Sequence, residues 1–186
     1  SRGIATVIDN TFASPINQKP MEMGIDVVVH SGTKYLGGHS DLCCGAALSS
    51  NAIMQRIRAV ARNLGGSLNA ITFYLLGRSQ NARSVPVEQQ SANAAKIAAF
   101  LEAHKAVRKV NYPGLAGFEG HAIAREQMKN FGGMLSFEIK PEIVSAQTFL
   151  RNLRLITPAV SLGGVETLIC CPAQTSHSKI SSAERN

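Results

Sequence analysis

A chain of 186 residues, 45% hydrophobic and 17% charged, has the composition of a globular protein able to bury a core, and contains no low-complexity segment. No apolar run approaches the ~20 residues of a membrane-spanning helix, so no membrane partner is expected. The net charge of +7 is dispersed, with Arg56, Arg58 and Arg62 on one segment and Lys105, Arg108 and Lys109 on another. No basic run is interleaved with aromatics as a single-strand binder requires, which argues against a nucleic-acid partner.

The opening Ser1-Arg2-Gly3 runs straight into "IATVID", without the basic, apolar and cleavage regions of a secretory signal. The absence of an initiator Met suggests a processed or partial chain. Residues 3–9 form a short β-branched run, expected to be a buried strand. Residues 10–24 read as a loop and a short helix, with Pro20 in a first turn and Gly24 at its end. "IDVVVHS" (25–31) is a second buried strand, and the short crossover suggests a parallel pair. Residues 43–50 are a third strand. Residues 51–63 place Ile53, Met54, Ile57, Val60 and Ala61 on one helical face. A glycine turn and mixed apolar sequence follow, and 88–104 is an Ala-rich helix whose start marks a domain boundary.

The second half changes character. Residues 106–112 read as a strand ended by Pro113-Gly114, and 120–131 as a helix. "MLSFEIK" (134–140) alternates, with Leu135, Phe137 and Ile139 inward, as a half-exposed strand does. Residues 141–153 read as a helix opened by Pro141, and 154–160 as a strand before the "SLGG" turn. Helices on one face of a sheet suggest an α+β layer.

Parallel strands present binding groups at their C-terminal ends, where Asp9 and the block 31–34 fall together. Lys34 follows the Val27-Val28-Val29 run and sits among Ser31, Gly32, Thr33 and two later glycines. Most lysines are solvated, but one drawn out of water becomes a usable nucleophile and base. The phosphate-loop pattern G-x-x-x-x-G-K-[ST] is absent. Asp9 reads either as a turn residue beside Asn10 and Thr11 or as a buried carboxylate that needs a cation. Ser31 and Thr33 suit turn chemistry or phosphate anchoring around Gly32.

His39 and Asp41 are expected to brace the "GGHSD" turn. With His30, Cys43 and Cys44 they show no metal-ligand spacing, so no metal is expected. The four cysteines form two adjacent pairs, Cys43-Cys44 and Cys170-Cys171, in apolar sequence and without C-x-x-C spacing. Buried, reduced thiols in a cytoplasmic protein are expected.

The segments "VIDNTFASP", "GIDVVVHSGTKYLGGHSD", "NYPGL", "FGGMLSFEI" and "AVSLGGVETL" occur in this order. Together they resemble the Cys/Met-metabolism family of pyridoxal-phosphate enzymes, whose members include cystathionine γ-synthase, cystathionine β- and γ-lyases and methionine γ-lyase. The resemblance covers nearly the whole chain. It implies an α/β protein of fold type I, a large, mainly parallel-sheet domain followed by a smaller α+β domain. Residues 1–90 would be the C-terminal part of the cofactor-binding domain and 91–186 most of the C-terminal one.

The same resemblance implies pyridoxal 5'-phosphate as cofactor, bonded to Lys34, with Lys34 also moving protons. Asp9 would pair with the ring nitrogen, Ser31 and Thr33 would hold the phosphate, and Ser161 would contact the substrate carboxylate and the lysine. Val160 stands where several γ-specific cystathionine enzymes have Glu, which suits a methionine γ-lyase-like or β-lyase-like pocket. The implied activity is carbon–sulfur cleavage of a small sulfur amino acid in a cytoplasmic homodimer or homotetramer. The alternatives are a γ-replacement enzyme that joins an activated homoserine to a thiol, and an inactive fragment.

Family chains are about twice as long. The resemblance therefore implies a missing N-terminal part with the ring-stacking tyrosine and a phosphate-binding turn, and a carboxylate-gripping arginine beyond "SSAERN". Residues 77–90 depart from the family pattern after Arg78.

Overall fold

The computed structural model describes residues 3–80 and 84–181. Strand β1 (Val7–Asp9) is followed by a short helix α1 (Ser14–Asn17) and a 3-10 turn, Pro20–Met23. Pro20 opens that turn, where its missing N–H removes no bond, and Gly24 closes it at φ 88°. Strand β2 (Val27–Ser31) then lies parallel to β1, with Asp9 opposite Val29. Both strands thus end at the same edge. Strand β3 (Gly45–Ser49) pairs antiparallel on the other side of β2, so the three-stranded sheet is mixed.

Burial differs from the sequence expectation in this half. In β2, Val28 and His30 are buried, but Val7 in β1 is 66% exposed, because β1 has a single strand neighbour among the described residues. Helix α2 (Asn51–Asn63) has the expected bounds. Ile53, Met54, Ile57 and Ala61 are its half-buried apolar positions, while Val60 is exposed and no residue is fully buried. Helix α3 (Ala70–Gln80) follows, its first turn capped by the Asn69 Oδ1, which accepts from the Thr72 N–H at 2.8 Å.

Helix α4 (Ser84–Glu102) begins four residues earlier than the Ala-rich pattern suggests. Pro86 is accommodated because it lies in the first turn. Val87, Ser91, Ala94 and Ala98 form a buried stripe of mostly small residues, spaced four, three and four apart. The stripe allows α4 to lie closely on β4 (Val107–Asn111), around a centre made by Ala94, Ala98 and Tyr112 with Val110, Leu115, Phe131 and Leu135. The Tyr112 hydroxyl is buried and lies 3.3 Å from the Ser91 carbonyl and 3.1 Å from that of Gly132.

Helix α5 (His121–Gln127) leads to β5 (Ser136–Ile139), antiparallel to β4. Its alternation is as expected, with Phe137 and Ile139 half-buried and Ser136 and Glu138 exposed. Phe137 meets Phe149 of α6 (Ala146–Arg151) edge-on, ring centroids 5.8 Å apart. Helix α6 starts later than Pro141 suggested, because Ser145 caps it by accepting from the Thr148 N–H. The expected strand at 154–160 contracts to β6 (Thr157–Pro158), which pairs in parallel with β7 (Leu168–Ile169). The atypical stretch 77–90 falls within α3 and α4 except for 81–83. Those three residues, Ser1, Arg2 and 182–186 lie outside the described residues.

Candidate active site

Past the end of β2 the chain makes a π-type turn, Gly32–Leu36, interrupted at Lys34 by a non-helical conformation (φ −90°, ψ −126°). Two neighbours hold the turn. The Thr33 N–H donates to the Cys44 carbonyl at 3.2 Å, and the Cys44 N–H donates back to the Thr33 hydroxyl at 3.1 Å. Gly32 lies against the Cys44 thiol so closely that a Cβ there would overlap Sγ. The Lys34 ammonium, half-buried, donates to the Ser161 hydroxyl at 3.2 Å across 127 residues of chain.

Ser161 opens the "SLGG" turn between β6 and β7. Gly163 adopts φ +82°, and a Cβ on it would stand 2.5 Å from the Tyr35 nitrogen and 2.7 Å from the Lys34 carbonyl carbon. The turn therefore rests directly on the backbone of Lys34 and Tyr35. Gln90 of α4 fastens it by donating from Nε2 to the Gly164 carbonyl at 2.7 Å. Val160, beside Ser161, is exposed. Tyr35 is buried next to Gly133, and burial, with Tyr112 adding to it, pushes its phenol up to about 12.

Asp9 is exposed at the open edge where β1 ends, as the turn reading of this residue allows and the buried-carboxylate reading does not. Both the Thr11 hydroxyl and the Thr11 N–H donate to its Oδ1. These bonds, the hydroxyl's first, hold the carboxyl below its ordinary value against the opposing desolvation, and His30 adds a smaller lowering. Among the described residues no hydrogen bond reaches Oδ2. The Ser31 N–H donates to the Thr11 hydroxyl at 2.8 Å, so Asp9, Thr11 and Ser31 are linked in one chain of bonds.

The structure thus forms two joined pairs, Lys34 with Ser161 and Asp9 with Ser31, and ties Thr33 to Cys44. Two contributors escaped the sequence reading. Thr11 was legible only as a turn residue, and nothing in the sequence marks Gln90 as a contact of the "SLGG" turn. His39 and Asp41 brace their turn as expected. His39 Nδ1 lies 2.8 Å from the Gly37 carbonyl, and Asp41 pairs with Arg78 of α3 at 2.6 Å. The thiols are free but not buried: Cys43 and Cys170 are exposed, and Cys44 and Cys171 half-buried. The apolar segments that carry them have one face uncovered among the described residues.

A family model of Cys/Met metabolism PLP-dependent enzymes matches residues 1–186. A cystathionine beta-lyase of Lactococcus lactis subsp. cremoris is 48% identical over 176 residues, covering 94% of this chain and 46% of that protein. An L-methionine gamma-lyase of Fusobacterium nucleatum subsp. polymorphum is 41% identical, covering 96% of this chain and 46% of that protein. The solved structure of cystathionine gamma synthase from Xanthomonas oryzae pv. oryzae in complex with cystathionine superposes with a TM-score of 0.93 at 40% identity, over 98% of this chain and 48% of that one. The chain spans about half the length of the curated relatives it matches. With the match running from its first residue to its last, the chain belongs to the Cys/Met metabolism PLP-dependent enzyme family.

Proposed function

We propose that this chain forms part of a carbon–sulfur lyase that acts on a sulfur amino acid by α,β- or α,γ-elimination. The observation that carries the reading is the Lys34–Ser161 contact at 3.2 Å, in a turn that follows the strand neighbouring Asp9. The donor set fits pyridoxal phosphate. Asp9 is a carboxylate kept ionised, with Oδ2 open to a protonated ring nitrogen. Lys34 offers a primary amine, and Ser31 and Thr33 offer hydroxyls for a phosphate. The Thr33 hydroxyl donates to the Cys44 carbonyl at 3.4 Å, long enough that turning toward a phosphate loses little. When bound, the cofactor supplies the electron sink for carbanion chemistry and a covalent anchor for the substrate amine.

The chain's residues divide the remaining tasks. The Asp9 carboxylate holds the ring-nitrogen proton in place. The Lys34 amine, once free, takes the proton from the substrate Cα and returns it where the leaving thiol departs. The Ser161 hydroxyl orients that amine and offers a hydrogen bond to the substrate carboxylate. Val160 beside it presents an apolar surface to the substrate side chain. Residues 1–90 belong to the cofactor-binding domain and 91–186 to the C-terminal domain, with α4 running through the line between them. The protein works as a cytoplasmic homodimer or homotetramer. A γ-replacement reaction is the second reading, supported by the likeness to cystathionine gamma synthase from Xanthomonas oryzae pv. oryzae.

The test is product analysis of the intact protein loaded with pyridoxal phosphate. Keto acid and ammonia released from cystathionine or methionine, and lost in Lys34→Ala, are the expected result. A new thioether from an activated homoserine and cysteine, without keto acid, would select the second reading. Neither product from a cofactor-loaded protein would contradict both.

A further inference from the structure

The carboxylate of Asp9 has a partner that turn chemistry alone does not explain. Thr11 is buried and β-branched, which restricts the rotation of its side chain. A hydroxyl has one hydrogen to give and lone pairs to receive with. The Ser31 N–H can only donate, so it occupies a lone pair of Thr11 Oγ1. The hydroxyl hydrogen is then committed to Asp9 Oδ1, which also receives the Thr11 N–H. The result is a directional relay, Ser31 N–H to Thr11 O–H to the Asp9 carboxylate, in which each bond polarises the next. A protonated Asp9 would accept the hydroxyl hydrogen only as a weaker, neutral bond, so the relay favours the ionised form. His30, on β2, is the other side chain that lowers the Asp9 carboxyl, by less than Thr11 does.

The relay also has a geometric consequence. It joins the last residue of β1 to the last residue of β2 through a single side chain. The Thr11 N–H and hydroxyl both fall on Asp9 Oδ1, which restrains the carboxyl and leaves Oδ2 for a cation. On the proposed reading, Asp9 takes the ring end of the cofactor and Ser31 the phosphate end. One hydroxyl therefore sets both the charge at one end and the spacing to the other.

We propose that Thr11 is a positioning residue for the cofactor: its hydroxyl links the Asp9 carboxylate to the Ser31 N–H, keeping Asp9 ionised and at a fixed distance from the phosphate anchors. This inference rests on the proposed cofactor site.

The test measures binding of deoxypyridoxine phosphate, which keeps the ring nitrogen and the phosphate but lacks the aldehyde that would bond to Lys34. Affinity is followed by calorimetry from neutral to acid pH in the intact wild-type protein, Thr11→Val and Thr11→Ser. Loss of a hydrogen bond to a charged group predicts roughly tenfold weaker binding in Thr11→Val. Without the hydroxyl the Asp9 pKa rises, so its acid-side loss of affinity begins at higher pH than in wild type. Thr11→Ser keeps the relay and retains the wild-type profile.

Wild-type affinity in Thr11→Val overturns the inference. So does a uniform loss of affinity with an unchanged acid limb, which would mark a merely structural residue. If Thr11→Val does not fold, Thr11→Ala is read by the same titration and the same criteria. A folded wild-type protein that fails to bind the analogue at any pH overturns the cofactor site itself, and this inference with it.

Discussion

Replacing Gly163 by Ala places a methyl group where the "SLGG" turn meets the lysine. The Cβ would lie 2.5 Å from the Tyr35 nitrogen, against an ordinary contact of at least 3.4 Å, so the turn must retreat by 3.4 − 2.5 = 0.9 Å. The obstacle is backbone on both sides and cannot swing away. Holding a non-glycine residue at φ +82° adds about 1–2 kcal/mol and the overlap about 1–3 kcal/mol. A combined loss of about 3 kcal/mol lowers Tm by roughly 6–12 °C in a protein of this size. A retreat of 0.9 Å also takes the 3.2 Å Lys34–Ser161 bond beyond hydrogen-bonding distance.

Gly24→Ala is the internal control. Gly24 has φ +88° with nothing within 4 Å of a Cβ, so it carries the strain without the collision. About 1–2 kcal/mol, or roughly 2–8 °C, is expected there, with the lysine site intact. Thermal melting measured by circular dichroism, together with the reactivity of Lys34 toward an aldehyde, reads both effects. Equal melting temperatures for the two variants, with wild-type Lys34 reactivity in Gly163→Ala, would refute the packing of the turn on the lysine backbone.

Tyr112→Phe removes a buried hydroxyl from the Ser91 and Gly132 carbonyls and should cost about 1 kcal/mol, a Tm drop of roughly 2–4 °C; no change would mean that these bonds are not formed. Because burial raises the Tyr35 phenol to about 12, folding stability is fully present below the ordinary tyrosine value and falls as pH rises from about 10 through 12. Tyr35→Phe should shallow that alkaline decline in denaturant titrations, and an unchanged decline would contradict the burial. Gln90→Ala releases the Gly164 carbonyl, so amide exchange in residues 161–166 should accelerate while exchange in α4 stays as it was. Parallel acceleration in both would show that Gln90 supports the helix rather than the turn.

The parts of this protein that were legible in the sequence are those set by local rules. Lys34 and Asp9 were readable as strand-end residues because a parallel pair must bring its C-terminal ends together, and β1 and β2 do so. The alternation in β5 and the face of α2 are periodicities, and they survive folding. Contacts made across the chain were not legible. Ser161 lies 127 residues from Lys34, and only the family resemblance linked them. Thr11 looked like a turn residue because the bond it makes to Ser31 belongs to tertiary structure. Burial of β1 and the cysteines was misjudged for a common reason: apolar neighbours in sequence do not reveal whether another layer covers them. Helix α6 starts late because a serine cap prevailed over a proline that sits in the preceding turn.

Lys34 is proposed as the residue that bonds the cofactor. Incubating the intact protein with pyridoxal phosphate, reducing with borohydride and mapping the labelled peptide tests it most directly. Stoichiometric label on Lys34 is expected, abolished in Lys34→Ala with the fold preserved. Label on any other lysine of a protein that binds the cofactor would contradict it.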